Sequence, residues 1–289
     1  MNQVKTVGLL GLLSGLLVAI SYWMIGGTGG ALIGVVIAAV MNLGSWYYSD
    51  RIALSAYRAQ PVEASEAPAL YSMVRRLSDR AGLPMPAVYI IPTDSLNAFA
   101  TGRDPEHAAV AVTKGLMAML PEDELEGVVA HEMTHILNRD TLTQAVAATL
   151  GGAISFLAQM VSYSMWFGGT SRNNNNSANP LGLLLTVMLA PMAATVIQLG
   201  ISRTREYSAD AGAAELTGKP RALAQALQRL DQSARKVPIQ ANPAFEPLLI
   251  MNAMPKGGFN SLFSTHPSTE DRVNRLLQPE QSRDSAMAR

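Results

Sequence analysis

The chain has 289 residues, 22 Lys and Arg against 22 Asp and Glu, no cysteine, and only 15% charged residues, well below the roughly 25% usual in soluble domains. The charge balance, with no basic stripe, excludes an electrostatic nucleic-acid surface. The composition excludes disorder, collagen-like structure and a disulfide scaffold. Without thiolates, any bound metal must be held by histidine and carboxylate side chains.

The low charge is unevenly spread. Thr6–Ser49, Thr141–Ser171 and Asn173–Ser202 contain no charged residue, and the rest of the chain is charged at ordinary density. A helix needs about 20 apolar residues to cross about 30 Å of hydrocarbon. The first window accommodates two such helices, Val7–Ile25 and Ala31–Tyr48, divided by Gly26–Gly30. Tyr22 and Trp23, then Trp46, Tyr47 and Tyr48, fall where an interfacial aromatic belt lies. A cleaved signal peptide is the alternative for the first run, but no small-x-small site ends it and a second span follows at once.

The next segment is polar enough to fold in water. Leu70, Met73, Val74 and Leu77 give helical spacing within Pro61–Gly82, which ends at Gly82-Leu83-Pro84. Ala87–Ile91, Ala98–Thr101 and Ala108–Thr113 read as short strands, the last two separated by a polar turn at Gly102–Glu106. Pro121 opens a helix to Arg139 whose first turn carries Glu122, Asp123 and Glu124, the charges a helix N-terminus favours. Spans three and four are expected at Leu142–Phe167 and Pro180–Ile201, joined by an Asn-rich outer loop at 167–179. Their polar residues also fit a buried hairpin in a soluble core, or intramembrane packing against other helices. Helices at Arg203–Thr217, Arg221–Lys236 and Thr269–Leu277 follow, around a loop-rich Pro238–Gly258.

Four spans place the turn at 26–30 and the loop at 167–179 on one side, with Arg172 as its only basic residue. The positive-inside rule then puts both termini and the polar segments in the cytoplasm. The expected organisation is a pair of spans in 1–49, a first catalytic part in 50–140, two more spans in 141–202 and a second catalytic part in 203–289.

The chemistry lies in His131-Glu132-Met133-Thr134-His135. Residues four apart share a helix face, so both imidazoles can reach one metal ion. Glu132 faces the open side of that ion, where it can take a proton from an attacking water. A surface helix with two unrelated histidines is the alternative. Zinc of this class needs a third protein ligand, and Glu206 in Arg205-Glu206-Tyr207-Ser208-Ala209-Asp210 supplies one from a second helix. Asp210, one turn on, can accept the far N–H of a ligating histidine. Otherwise Glu206 is an ordinary ion-pairing residue on a solvated helix.

His131–His135 with Asn138-Arg139-Asp140, followed by Glu206–Asp210, resembles the HtpX membrane metalloproteases, relatives of the CAAX prenyl endopeptidases and more distantly of thermolysin. Asn97–Gly102 and Thr265-His266-Pro267-Ser268 with Asp271-Arg272 match further motifs of that family. The resemblance covers nearly the whole chain. It implies a mainly helical membrane protein with an α+β, zincin-like catalytic domain and a small sheet, holding one Zn²⁺ per chain through His131, His135 and Glu206. It further implies a bacterial inner-membrane endopeptidase in stress response and quality control, whose polypeptide substrates are damaged membrane proteins. Within the resemblance, Asn97, Ala98, Phe99 and Ala100 form an edge strand for an extended substrate, the alternative being a core strand. His266 is a candidate donor to the tetrahedral oxyanion, or else a loop histidine. Arg272 and Arg203 are candidates for orienting carboxylates, with a surface role as the alternative. Two rival functions are an intramembrane-cleaving protease, which would put the histidine motif inside an apolar span, and a zinc-stabilised scaffold, which would not need Glu132.

Overall fold

The computed structural model of the chain describes residues 27–147, 203–236, 267–287 and scattered positions between 7 and 22. Its first continuous helix, α1, is Gly27–Ala56. Of the expected break at Gly26–Gly30, the described residues 27–30 are helical, and among these only Gly27 keeps a positive φ, 60°. In an apolar surrounding a helix satisfies its own backbone polar groups, so a glycine run costs less there than a break would. Leu32, Val36, Val40 and Leu43 stand exposed along α1, the surface expected against lipid. Asn42 Nδ2 donates to Ser14 Oγ at 2.8 Å, a polar contact between the two halves of the first window.

Among the described residues one helix is long and apolar enough to cross a membrane, over Gly27–Gly44. That is fewer than the four spans expected. Spans three and four and the outer loop lie outside the described residues, except that 141–147 are helical.

Beyond its apolar part α1 continues onto a small sheet. Its Ala53 and Leu54, with Tyr57 just after, pack on Ile91, Phe99, Ala109 and Ala111. These belong to a four-stranded mixed sheet: β1 (Gln60–Pro61), β2 (Ala87–Ile91), β3 (Ala98–Gly102) and β4 (Ala108–Thr113). The strand order is β1-β2-β4-β3, so β3 forms one edge. Strands β2 and β4 run parallel with Val88 opposite Val110, while β3 runs antiparallel to β4 with Ala100 opposite Val110. Every residue of β3 and β4 is buried. Both faces of these strands are covered, which is why they read as unbroken apolar runs and not as alternating patterns.

The helix expected from Pro61 begins at Pro68 instead (α2, Pro68–Ala81). Pro61 lies in the edge strand β1 opposite Tyr89, where a missing N–H costs no ladder bond. Leu70, Met73, Val74 and Leu77 are buried as their spacing predicts, and Gly82 closes the helix with a φ of 64°. A short helix α3 (Lys114–Met119), not expected from sequence, is capped by Thr113. Then come α4 (Glu122–Leu137), α5 (Arg203–Thr217), α6 (Pro220–Lys236) and α7 (Thr269–Met287), the last running beyond its expected end.

Helix α4 is the hub, packed on β3, α2, α5 and α6. Val128, Val129, Met133 and Ile136 are almost fully buried. Two glycines set how closely its neighbours approach: a Cβ on Gly127 would lie 3.1 Å from the Leu223 backbone of α6. One on Gly212 of α5 would lie 2.5 Å from Thr134 Cγ2 of α4. The described chain is thus mostly helical with a small mixed sheet.

Candidate metal centre

The close approach at Gly212 brings α5 across α4, with Glu206 between the two imidazoles. His131 Nε2 lies 3.6 Å from Glu206 Oε2, and His135 Nε2 lies 3.6 Å from Glu206 Oε1. The two rings sit edge to face with centroids 4.8 Å apart. All three ligand atoms fall within 4.8 Å of one another, and all three residues are buried. Ligands on a tetrahedral zinc at about 2.0–2.1 Å stand about 3.3 Å apart, so these residues fit the ion with small adjustments.

The outer nitrogens are also engaged. His131 Nδ1 lies 3.0 Å from Asp210 Oδ1 and His135 Nδ1 lies 3.1 Å from Asp140 Oδ2. Each imidazole therefore presents Nε2 inward and turns Nδ1–H to a carboxylate, the arrangement that fixes tautomer and ring orientation around a metal. Asp210 is gripped in turn by Arg272 of α7, whose Nε and Nη2 donate to its two oxygens at 2.8 and 2.6 Å. Arg272 is only 2% exposed, so the surface role does not hold for it. Arg203 is exposed, and the buried arginine at that end of α5 is Arg205.

The charges follow from this geometry. Burial alone would depress the His131 imidazole, but Asp210 and Glu206 outweigh it and push its pKa up from 6.5 to about 9. Burial would raise Asp210, yet the Arg272 guanidinium and its hydrogen bonds hold that carboxyl well below the usual range. Glu132 is raised, chiefly by burial, against the pull of both histidines. Its Oε2 accepts the Ala100 N–H of β3 at 2.9 Å, which places the carboxylate beside the edge strand.

Of the four residues expected to line a substrate strand, Ala100 reaches the centre through that N–H. Asn97 is tied to Thr113 at the end of the sheet, its N–H donating to Oγ1 at 3.1 Å. Ala98 shares the α4-side core with Ala100, and Phe99 lies on the opposite face, its ring 5.0 Å from that of Tyr57. His266 is outside the described residues. The sequence pattern gives Asp140 no role of its own. The hint was there in a carboxylate five residues past His135, but only the turn between them shows that the two meet.

Residues 64–280 match Peptidase family M48. A protease HtpX homolog of Nostoc punctiforme is 70% identical over 280 residues, covering 97% of both chains. One from Pyrococcus furiosus is 50% identical over 274 residues, covering 94% of both. The crystal structure of S. mikatae Ste24p shares the fold, with a TM-score of 0.52 at 20% identity over 95% of this chain and 65% of that one. With its paired histidines and glutamate in place, the chain belongs to peptidase family M48, and it is a metalloprotease that hydrolyses peptide bonds.

Proposed function

We propose that the centre holds one Zn²⁺ per chain through His131, His135 and Glu206, and that the protein is an endopeptidase acting on misfolded or damaged membrane proteins. The observation that carries this reading is the buried His-His-Glu cluster with a carboxylate behind each imidazole, since a built outer layer suits a resident ion. When bound, the ion supplies Lewis-acid activation of water and of the scissile carbonyl. Glu132 acts as general base, taking a proton at its carboxylate and passing it to the leaving amine. Its burial favours the protonated form, which suits a group that must change state during each turnover. The Ala100 N–H keeps that carboxylate beside β3, where an extended peptide adding to the sheet edge would present its backbone. His266 is the proposed donor to the oxyanion.

The four-span arrangement, with both termini and the centre on the cytoplasmic side of an inner membrane, belongs to the same proposal. Its support is the distribution of basic residues and the direct continuation of α1 from the apolar layer into the sheet core. Metal analysis and casein cleavage by wild type and Glu132→Ala test the mechanism. We expect one zinc per chain in both proteins and cleavage lowered at least about 10²-fold in the variant. Undiminished cleavage would remove Glu132 from the mechanism, and absence of zinc from the wild type would remove the ion. The chain has no cysteine, so Asn174→Cys and Ser285→Cys report sidedness directly. Labelling of both by an impermeant reagent from the same side would overturn the topology.

A further inference from the structure

The end of α4 is built in an unusual way. Asp140 N–H donates to the His135 carbonyl at 2.9 Å and Arg139 N–H to that of Ile136 at 3.0 Å, the paired bonds of a Schellman turn. The left-handed position of such a turn is normally glycine, yet here it is Arg139 with a φ of 56°. The turn folds Asp140 back onto its own helix. The same His135 that accepts its N–H turns Nδ1 to its carboxylate at 3.1 Å, and Asp140 is 1% exposed.

Asp140 also begins the next helix, since its carbonyl accepts the Gln144 N–H at 3.1 Å. Thr141 Oγ1 donates to the Gly102 carbonyl at the end of β3 at 2.9 Å. Asp140 Oδ1 lies 3.9 Å from Arg205 Nη1, on the residue preceding Glu206. One carboxylate thus stands where α4, α5, the edge strand and the chain entering the second uncharged window meet.

We infer that Asp140 is a positioning residue of the metal centre, which fixes the His135 imidazole with Nε2 toward the ion and ties that ligand to the segment entering the second uncharged window. The inference rests on the zinc reading above. A hydrogen-bonded anion behind an imidazole sets its tautomer and strengthens it as a ligand, and losing such a partner typically costs about 10–100-fold in metal affinity. Asp140→Asn keeps an acceptor of similar shape without the charge, while Asp140→Ala removes both.

The test is Zn²⁺ affinity by chelator competition on the full-length purified chain, with the Tm of the metal-free protein and the visible spectrum of the Co²⁺ form. We expect about 10-fold weaker binding in Asp140→Asn and up to about 100-fold in Asp140→Ala. The Asp140→Asn variant should keep a metal-free Tm close to wild type and show an altered Co²⁺ spectrum. If Asp140→Ala does not fold, Asp140→Asn decides alone. Affinity within about twofold of wild type and an unchanged Co²⁺ spectrum in folded Asp140→Asn would overturn the positioning role and leave the zinc reading intact. A wild type that takes up no zinc would overturn both.

Discussion

The two histidines of the centre are supported in opposite ways. His135 leans on Asp140, five residues along in the same turn. His131 leans on Asp210 of α5, which is itself held by Arg272 of α7, 62 residues further on. One arm can form as soon as α4 and its terminal turn exist. The other exists only when three helices have docked. The centre is therefore half local and half tertiary, and its remote half reports whether the catalytic region has assembled.

The comparison can be broken most forcefully at Arg272. Arg272→Met leaves the Asp210 carboxylate buried without its cation, and breaking one side of such a pair costs about 3–5 kcal/mol. Denaturant unfolding of the metal-free protein should show a loss of that size, with zinc affinity falling as well. A loss confined to zinc affinity would mean that the remote arm is not structural.

A pH series separates the arms next. The folded His131 imidazole binds its proton more tightly than the unfolded one, with a pKa of about 9 against 6.5. Its contribution to the metal-free fold is complete below pH 6.5 and is lost as pH rises through about 9, on the order of 3 kcal/mol at most. The Tm of chelator-treated protein should fall across that window. Zinc affinity should rise over it by up to about tenfold per pH unit, because the ion must displace the proton. A flat Tm would show that the Asp210 arm does not hold a charged imidazole.

Spacing between the arms is set at Gly212. Gly212→Ala places a methyl 2.5 Å from Thr134 Cγ2, and such overpacking costs about 1–3 kcal/mol. Because the strain pushes Glu206 away from the histidines, zinc affinity should drop too, and adding Thr134→Ala should restore part of both. No recovery in the double variant would place the conflict elsewhere. The smallest effect belongs to the local arm. Arg139→Gly should stabilise the chain by up to about 1 kcal/mol, read as a small rise in Tm, by relieving a left-handed φ of 56°.

Much of this is legible in the sequence alone. The β-branched run Ala87–Ile91 and the small apolar run Ala108–Thr113 are strands over those same residues, and Arg203–Thr217 is the helix its pattern predicts. The two-residue strand Gln60–Pro61 was not legible, because two exposed residues carry no periodicity and owe their conformation to β2 alongside. Helix α3, only six residues long, is too short to show a helical stripe. Arg272 left both a structural and a surface role open in the sequence, since a charged residue in the first turn of a helix, beside Glu270 and Asp271, has the same local signature either way. Burial against Asp210 decides between them.

The sequence by itself determined the ligand types and the inward helix face, because absence of cysteine and four-residue spacing are chemical and geometric constraints that need no partner. It also determined where charge is excluded and hence where α1 is apolar enough to cross a membrane. Tertiary structure alone decided that Glu206 sits between two imidazoles, that Arg272 is buried, and that Asp140 turns back onto His135. Each of these depends on groups brought together by packing, at Gly212 against Thr134 and through the left-handed turn at Arg139. A one-dimensional pattern records which residues are present but not which of them will share a desolvated site.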